Sequence, residues 1–582
     1  MTDKSLDSRT HESERCAAGL GERGWITLFC LVCVVVIFSN LGGSALFEPD
    51  EGRNAEKARE ILLLGDWVTP YENFLPTLGK PMFFYWLVAL SFKVFGISEW
   101  SARLPSALAT LGNVFLVYRF ARVHLGLWEA LWSCLILVTS FQFFMFSRIV
   151  ISDMTLTFFI TLALFAFYAG TLAVDQKRTR LKYILMYAAM GAGTLVKGPI
   201  ALIIPSMVIF FYLLLARKWF LLKKMHPLIG AVIYLAIIAP WYLWAESRNP
   251  GYLKYFLWEE HVLRFATPHF ERNNSWYYFF IVIAAGFLPW SLLLPFTVKD
   301  HRKRSFNEAN LFLALWVILP FIFFSVSNSK LPHYILPIFP ALAILTGQTV
   351  ATSINKPAHQ QRWILYVPWI LTLGFALYLL VGAVRPHLLL SDIRSSVTQH
   401  ALGVGIYGAI LCCIYGSYLV GVIKGIWRDA GAAYVCTSIG IALFLLLIGQ
   451  IVKAASFHRA AKPLAENTAP LIEPEDQIVF YGTYLEGIPF YLRIDRPIWL
   501  VEARRRTEVI GNSYGAERRL APAPGYGRVV FSYDEFARHW KRNERVFRVF
   551  LRKKSLARLT GEVGTSPRIL TKIDEYLLVT NR

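Results

Sequence analysis

Runs of about twenty apolar residues recur along this chain, separated by short loops rich in lysine and arginine. A water-soluble fold has no place for so many such runs. The 582 residues are 55% hydrophobic, 15% aromatic and only 17% charged, more apolar than a soluble chain of this length. The reading is a polytopic α-helical membrane protein. Its net charge of +21 is dispersed between the runs, as in loops that collect basic residues on the cytoplasmic side. Part of it suits anionic lipid. It is not gathered into a nucleic-acid-binding patch. All cysteines but Cys16 lie in apolar runs, with neither a disulfide framework nor zinc-ligand spacing.

The basic loops set the expected topology. Residues 1–24 form a cytoplasmic tail and 25–46 a retained first span. Basic residues then cluster at Arg119–Gly126, Asp175–Lys182, Arg217–Pro227, Lys299–Asn310, Asn355–Arg362 and Lys424–Gly431. Pairs of spans lie between them: 103–118 and 127–146, 155–174 and 183–196, 198–216 and 228–245, 276–297 and 309–326, 333–352 and 363–383, 402–423 and 432–452. Met82–Ile97 is apolar but short for a crossing, and counting it would turn every later basic loop outward. It is therefore expected to be an interfacial or re-entrant helix. This gives about thirteen crossings, with fourteen as the alternative. The transmembrane part covers 25–452, including a first outer loop at 47–97 with juxtamembrane helices. Residues 453–582 change character and predict a small outer α/β domain. In it DQIVFYGTYL and RPIWLVEA read as strands, SYDEFARHWKRNERVFRVF as an amphipathic helix and ILTKIDEYLLVTN as a last strand.

With this parity the unusual polar residues fall on one side of the membrane. The stretch FEPDEGRNAEKAREILLLGDWVTPYENFLPTLGKP, residues 47–81, holds Asp50, Glu51, Arg53 and Lys80. Asp153 opens a span, Lys197 sits in LVKGP between two spans, and Arg264 lies in WEEHVLRF. His333 and Tyr334 lie in SKLPHYILP. Ionisable residues near membrane depth are functional candidates, and His333 and Tyr334 are read with Arg53, Lys80, Lys197 and Arg264 as candidate substrate- or phosphate-binding residues. Each also has a structural reading. Asp50 and Asp153 suit helix N-caps, Lys80 and Lys197 suit snorkelling anchors, and Tyr334 suits an interfacial belt. Glu51 reads as positional.

The order of these motifs, with RLPSALA and KLPHYILPIFPALA, resembles the membrane glycosyltransferases related to protein O-mannosyltransferases. Among them it is closest to the bacterial lipid A aminoarabinose transferases. The resemblance implies a GT-C fold and a polyprenyl-phosphate-linked sugar donor. It also implies a lipid or glycan acceptor such as lipid A, and an active site on the periplasmic side of the inner membrane. It implies Asp50 and Asp153 as catalytic acids, and Arg53, Lys80, Lys197 and Arg264 as phosphate-binding residues. His333 is implied as a possible metal ligand. In one respect the chain departs from the pattern. Where those transferases carry an acid before the loop lysine, this chain has Gly79, which removes half of a zinc-holding pair.

The chemistry is consistent with the residues themselves. A polyprenyl phosphate is a good leaving group that needs charge stabilisation more than protonation. A carboxylate can orient the acceptor oxygen or take its proton. A protein O-mannosyltransferase-like enzyme is the nearest alternative. A lipid-linked sugar transporter or flippase would more naturally show internal repeats and helices interrupted at mid-membrane.

Overall fold

The computed structural model describes residues 21–266, 274–303, 307–354, 461–501 and 522–582, with isolated positions between 370 and 445. Most of the N-terminal tail lies outside the described residues. So do the spans expected at 363–383, 402–423 and 432–452, apart from those positions.

Among the described residues, five helices are long and apolar enough to cross a membrane, or seven if each of two bent pairs forms one span. The first helix is Glu22–Phe38. The five are Glu99–His124, Asp153–Leu172, Leu221–Arg248, Glu308–Val326 and Pro332–Ser353, and the helix Gln176–Lys197 packs among them. Two expected spans are broken. The run at 127–146 bends by 67° between Leu127–Thr139 and Phe141–Ser147. The run at 276–297 turns by 110° between Tyr278–Gly286 and Trp290–Lys303. Pro289 lies in that second break, and a proline offers no N–H to carry a helix through. The Met82–Ile97 stretch forms a 13-residue helix, Phe83–Phe95. At 1.5 Å per residue it reaches only about 20 Å, short of a bilayer's hydrocarbon core.

The charged stretch after the first helix forms the helix Asp50–Leu64. Asp50 and Glu51 occupy its first turn, where acids complement the helix dipole, and Gly65 in the left-handed conformation ends it. This helix is not a solvated surface element. Glu51, Asn54, Glu56, Lys57, Arg59 and Glu60 are all buried. Most of these charges are matched by partners brought from elsewhere or from the same helix, while Glu60 accepts from the Phe74 N–H. Arg59 forks onto Glu56 at 2.8 and 2.6 Å, and Lys57 lies 3.2 Å from Glu72.

The strongest tie is between Glu51 and Arg103, side chains only 0% and 1% exposed. Arg103 Nε and Nη2 donate to the two Glu51 oxygens at 2.9 and 2.7 Å. Its remaining N–H groups reach the carbonyls of Leu41, Ser44 and Ala45. Glu51 also accepts from the backbone N–H groups of Phe47 and Val150. One ion pair thus joins the exit of the first helix, the Asp50 helix, the Glu99–His124 helix and the loop leading to Asp153. Asn54 adds a hydrogen bond to the carbonyl of Val150 at 2.8 Å.

After this helix, a hairpin of β1 (Tyr71–Glu72) and β2 (Leu75–Pro76) turns at Asn73 and Phe74, both with positive φ. The described residues of 461–501 and 522–582 build a six-stranded mixed sheet from β3 (Gln477–Tyr481), β4 (Trp499–Val501), β5 (Val530–Phe531), β6 (Phe547–Arg552), β7 (Arg568–Ile573) and β8 (Tyr576–Thr580). Their order is β5-β4-β3-β6-β8-β7. The β3–β4, β4–β5 and β3–β6 pairs are parallel, while β8 runs antiparallel to both its neighbours. Alternation places Ile478 and Phe480 in one core and Val479 and Tyr481 in another. The structure corrects two local readings. The amphipathic helix ends at Arg542, capped by Asn543, and RVFRVF contributes to β6. The expected last strand is a hairpin, β7 and β8, turning at Asp574.

This sheet unit is fastened to the first loop. Asn73 exchanges two hydrogen bonds, both 2.9 Å, with the backbone of Ile498. Glu48 accepts from the N–H groups of Glu486 and Gly487. A Cβ on Gly52 would fall 2.7 Å from the Gly487 nitrogen, so the approach needs glycine.

Replacing Glu51 with glutamine should leave Arg103 as an uncompensated buried charge, at a cost of about 3–5 kcal/mol. The expected outcome is a clear drop in the thermal midpoint of the detergent-purified protein. An unchanged midpoint would show that the pair does not hold the fold together.

Candidate active site

The ends of several elements converge beside the Asp50 helix. Asp153 begins the Asp153–Leu172 helix and is 1% exposed. Lys197 ends the Gln176–Lys197 helix. Its ammonium lies 2.5 Å from Asp153 Oδ1 and 5.0 Å from the centre of the Tyr334 ring. His333 stands in a 3-10 turn, Pro332–Ile338, with its Nε2 4.0 Å from Asp153 Oδ2. That oxygen is buried with no hydrogen-bond partner among the described residues.

Lys80 and Asp50 complete the cluster from the first loop. Lys80 makes no hydrogen bond or ion pair among the described residues, yet it lies within electrostatic reach of Lys197, Asp153 and Asp50. Burial, reinforced by the Lys197 charge, pushes its pKa down to about 8, with Asp153 and Asp50 opposing. Asp50 is largely exposed, its side chain at 64%, and Arg53 Nη1 stands 3.9 Å from it. The site therefore holds one shielded carboxylate, Asp153, one accessible carboxylate, Asp50, and two lysines of which Lys80 is unpaired.

Arg53 is more committed than the sequence suggested. Its Nε and Nη2 fork onto Glu486 at 2.7 and 2.6 Å, and Glu72 lies 3.7 Å away. Burial, with Glu72 alongside, pushes Glu486 up to about 8 against the pull of Arg53. Arg264 is set apart from the acids. It pairs with Glu260 within a region where Tyr255–Leu263 forms a π-helix, a form often found at functional sites. Its link to the cluster runs through His261, whose ring abuts Gly198. A Cβ on Gly198 would lie 2.5 Å from His261 Nε2, and its φ of +95° also favours glycine.

Sequence reasoning gave no site role to Arg103, Asn54 or Glu486. Arg103 carried one signal, a charge within a span. Glu486 carried none, because its partner lies 433 residues away.

The described donors supply only part of a zinc site. Asp153 is engaged by the Lys197 ammonium, the His333 imidazole stands 4.0 Å from its other oxygen, and position 79 offers no side chain. Space for a Cβ on Gly79 is open, so crowding does not explain the missing acid. No group of three or more His, Cys, Asp or Glu side chains able to hold a metal ion occurs among the described residues, whereas zinc sites take three or four such ligands.

Comparison with known proteins agrees with this architecture. Residues 79–244 match the family described as dolichyl-phosphate-mannose-protein mannosyltransferase. An undecaprenyl phosphate-alpha-4-amino-4-deoxy-L-arabinose arabinosyl transferase from Edwardsiella ictaluri is 35% identical over 325 residues, 55% of this chain and 58% of that protein. The match thus spans less than two thirds of that relative's length. The transferase of the same name from Pectobacterium carotovorum is 29% identical across 86% of this chain and 96% of its own. The crystal structure of ArnT from Cupriavidus metallidurans bound to undecaprenyl phosphate superposes with a TM-score of 0.83. It is 27% identical and covers 96% of this chain and 98% of that one. The chain is a membrane protein of GT-C fold that resembles the aminoarabinose transferases in both sequence and structure.

Proposed function

We propose that this protein is a glycosyltransferase of the inner membrane. It moves a sugar from a polyprenyl-phosphate donor to a lipid or glycan acceptor such as lipid A, with its site and C-terminal unit on the periplasmic side. The observation that carries the reading is the cluster itself: two carboxylates and two lysines gathered at helix ends, with Lys80 unpaired. The similarity to undecaprenyl-phosphate-dependent arabinosyl transferases supports it.

The residues divide the work by their surroundings. Lys80, short of a counter-ion, receives the donor phosphate, and Lys197 beside it shares the charge that grows as the phosphate leaves. Asp153 holds Lys197 in place through the 2.5 Å contact. His333 and Tyr334 wall that pair, and Arg264, paired with Glu260, is assigned to the donor through the resemblance. Asp50, exposed and steadied by Arg53, orients the acceptor oxygen. That oxygen attacks the anomeric carbon, the bond from that carbon to the phosphate oxygen breaks, and polyprenyl phosphate departs. A proton on the acceptor passes to the Asp50 carboxylate. A single displacement inverts the anomeric centre. The donor set needs no metal for these steps.

Asp50→Asn keeps the size of the side chain but loses its charge and basicity. Turnover should fall by about 10²–10⁴-fold while donor affinity stays near wild type, as read by steady-state transfer and direct donor binding. Near-normal turnover would reassign the base. Lys80→Ala should weaken donor affinity and turnover together.

The lowered pKa of Lys80 predicts a pH effect. Below about 8 the ammonium form awaits the donor. As pH rises through that value, the free protein loses the charge, so donor affinity should fall, by at most about tenfold per pH unit. Lys80→Arg should flatten the profile, because a guanidinium stays charged. The measurement is the dissociation constant of a phosphodiester donor between pH 6.5 and 9.5, a titration range chosen to be about 1.5 units either side of that pKa.

Chelation should leave the initial transfer rate unchanged. A loss on chelation that zinc restores would contradict the reading of Gly79 and Lys197.

A further inference from the structure

A recess of mixed polar and apolar lining lies between the exit of the first helix and the Phe141–Ser147 helix. Asn40, Ser44, Phe144, Met145, Arg148 and Ile149 are among its walls, and it is open to solvent at its mouth. The half-buried Arg148 is its only charged wall.

Arg148 is held but not neutralised. Its Nη1 donates to the carbonyl of Val36 at 2.8 Å, and its guanidinium stands 4.9 Å from the centre of the Phe144 ring. Among the described residues no carboxylate forms an ion pair with it. The one charged group that perturbs it is another cation, Arg103, itself committed to Glu51. Burial first, and Arg103 second, push its pKa down to about 10; a guanidinium remains charged at neutral pH even so. Most of its five N–H donors are left for a ligand. A buried cation without an anion is costly, and the recess supplies neutral polar groups and hydrocarbon rather than an acid. A phosphate attached to an acyl chain meets all of these needs. The phosphate suits the arginine fork, and the chains suit Phe144, Met145 and Ile149.

The position is also telling. Arg148 lies two residues before Val150, whose N–H is bound by Glu51, and Asp50 adjoins Glu51. Lys80 and Lys197 lie in the separate cluster around Asp153.

We infer that this recess binds the phosphate group of the acceptor lipid, with Arg148 as its anchor. Calling the lipid an acceptor rests on the transferase reading; the phosphate-lipid site itself does not.

The test uses the full chain in nanodiscs with saturating undecaprenyl phosphate, which fills the Lys80 site. Short-chain phosphatidate is titrated against wild type, Arg148→Gln and Asn40→Asp. The last variant keeps Arg148 and its bond to Val36 but places an acid in the recess, and Asn40 already has a φ of 56° that aspartate tolerates. Both variants should bind phosphatidate about tenfold or more weakly, the loss expected for a charge-assisted contact, with undecaprenyl phosphate affinity unchanged. Equal phosphatidate affinity in wild type and Asn40→Asp would overturn the site. Inorganic phosphate binding as tightly as phosphatidate would overturn the lipid assignment in favour of a free anion. In transfer assays, the acceptor KM should rise in both variants with the donor KM unchanged. If wild type binds phosphatidate through Arg148 but transfers no sugar, the transferase reading and the acceptor role fail while the phosphate-lipid site stands. Unchanged acceptor KM in active variants would overturn the acceptor role alone.

Discussion

The buried pair of Glu51 and Arg103 is the contact on which the rest of the site depends. A carboxylate and a guanidinium with almost no exposure persist only when every lone pair and proton finds a partner. Here the partners are backbone groups of residues 41–47 and of the loop at Val150, which the pair ties to the Asp50 helix that carries Glu51. Satisfying one ion pair therefore fixes the relative positions of all three. Asp50 is the neighbour of Glu51, and Asp153 follows Val150 by three residues. The structural acid sets the distance between the two candidate catalytic acids without touching either.

Around that frame the charges are matched unevenly. Arg59, Lys57 and Arg53 are each spent on a carboxylate. Asp153 is spent on Lys197. Lys80 and Arg148 are left over, both cationic, both partly buried, and both pushed below their ordinary pKa by that burial. A folded protein tolerates such residues where a ligand brings the missing charge, and the unpaired cations mark where anions are handled.

The C-terminal unit belongs to the same electrostatic system. Glu486 takes two nitrogens of Arg53, and the backbone beside it binds Glu48. Leu75 of the first loop lies in the apolar core of the β-sheet unit. The loop that carries the candidate site is thus clamped between the helices and the sheet, which explains how a stretch so rich in charge is so deeply buried.

Much of this was legible in the chain. Hydropathy runs and basic loops gave a polytopic membrane protein, the short Met82–Ile97 helix was separable by length, and motif order pointed to Asp50, Lys80, Asp153, Lys197 and His333, which the structure brings together. Two expected spans proved bent, and two readings in the C-terminal unit failed. In RVFRVF a helical and a strand pattern overlap, and only pairing with β3 and β8 selects the strand. What the sequence by itself determined was local: apolar length, charge sign and the presence of reactive side chains. Which charge meets which was decided by tertiary structure alone, because Glu51 and Arg103 are 52 positions apart and Arg53 and Glu486 are 433 apart. No periodicity encodes a contact over such separations. Burial makes each pair obligatory once the chain has folded, and so distinguishes the residues that build the site from those left free to act in it.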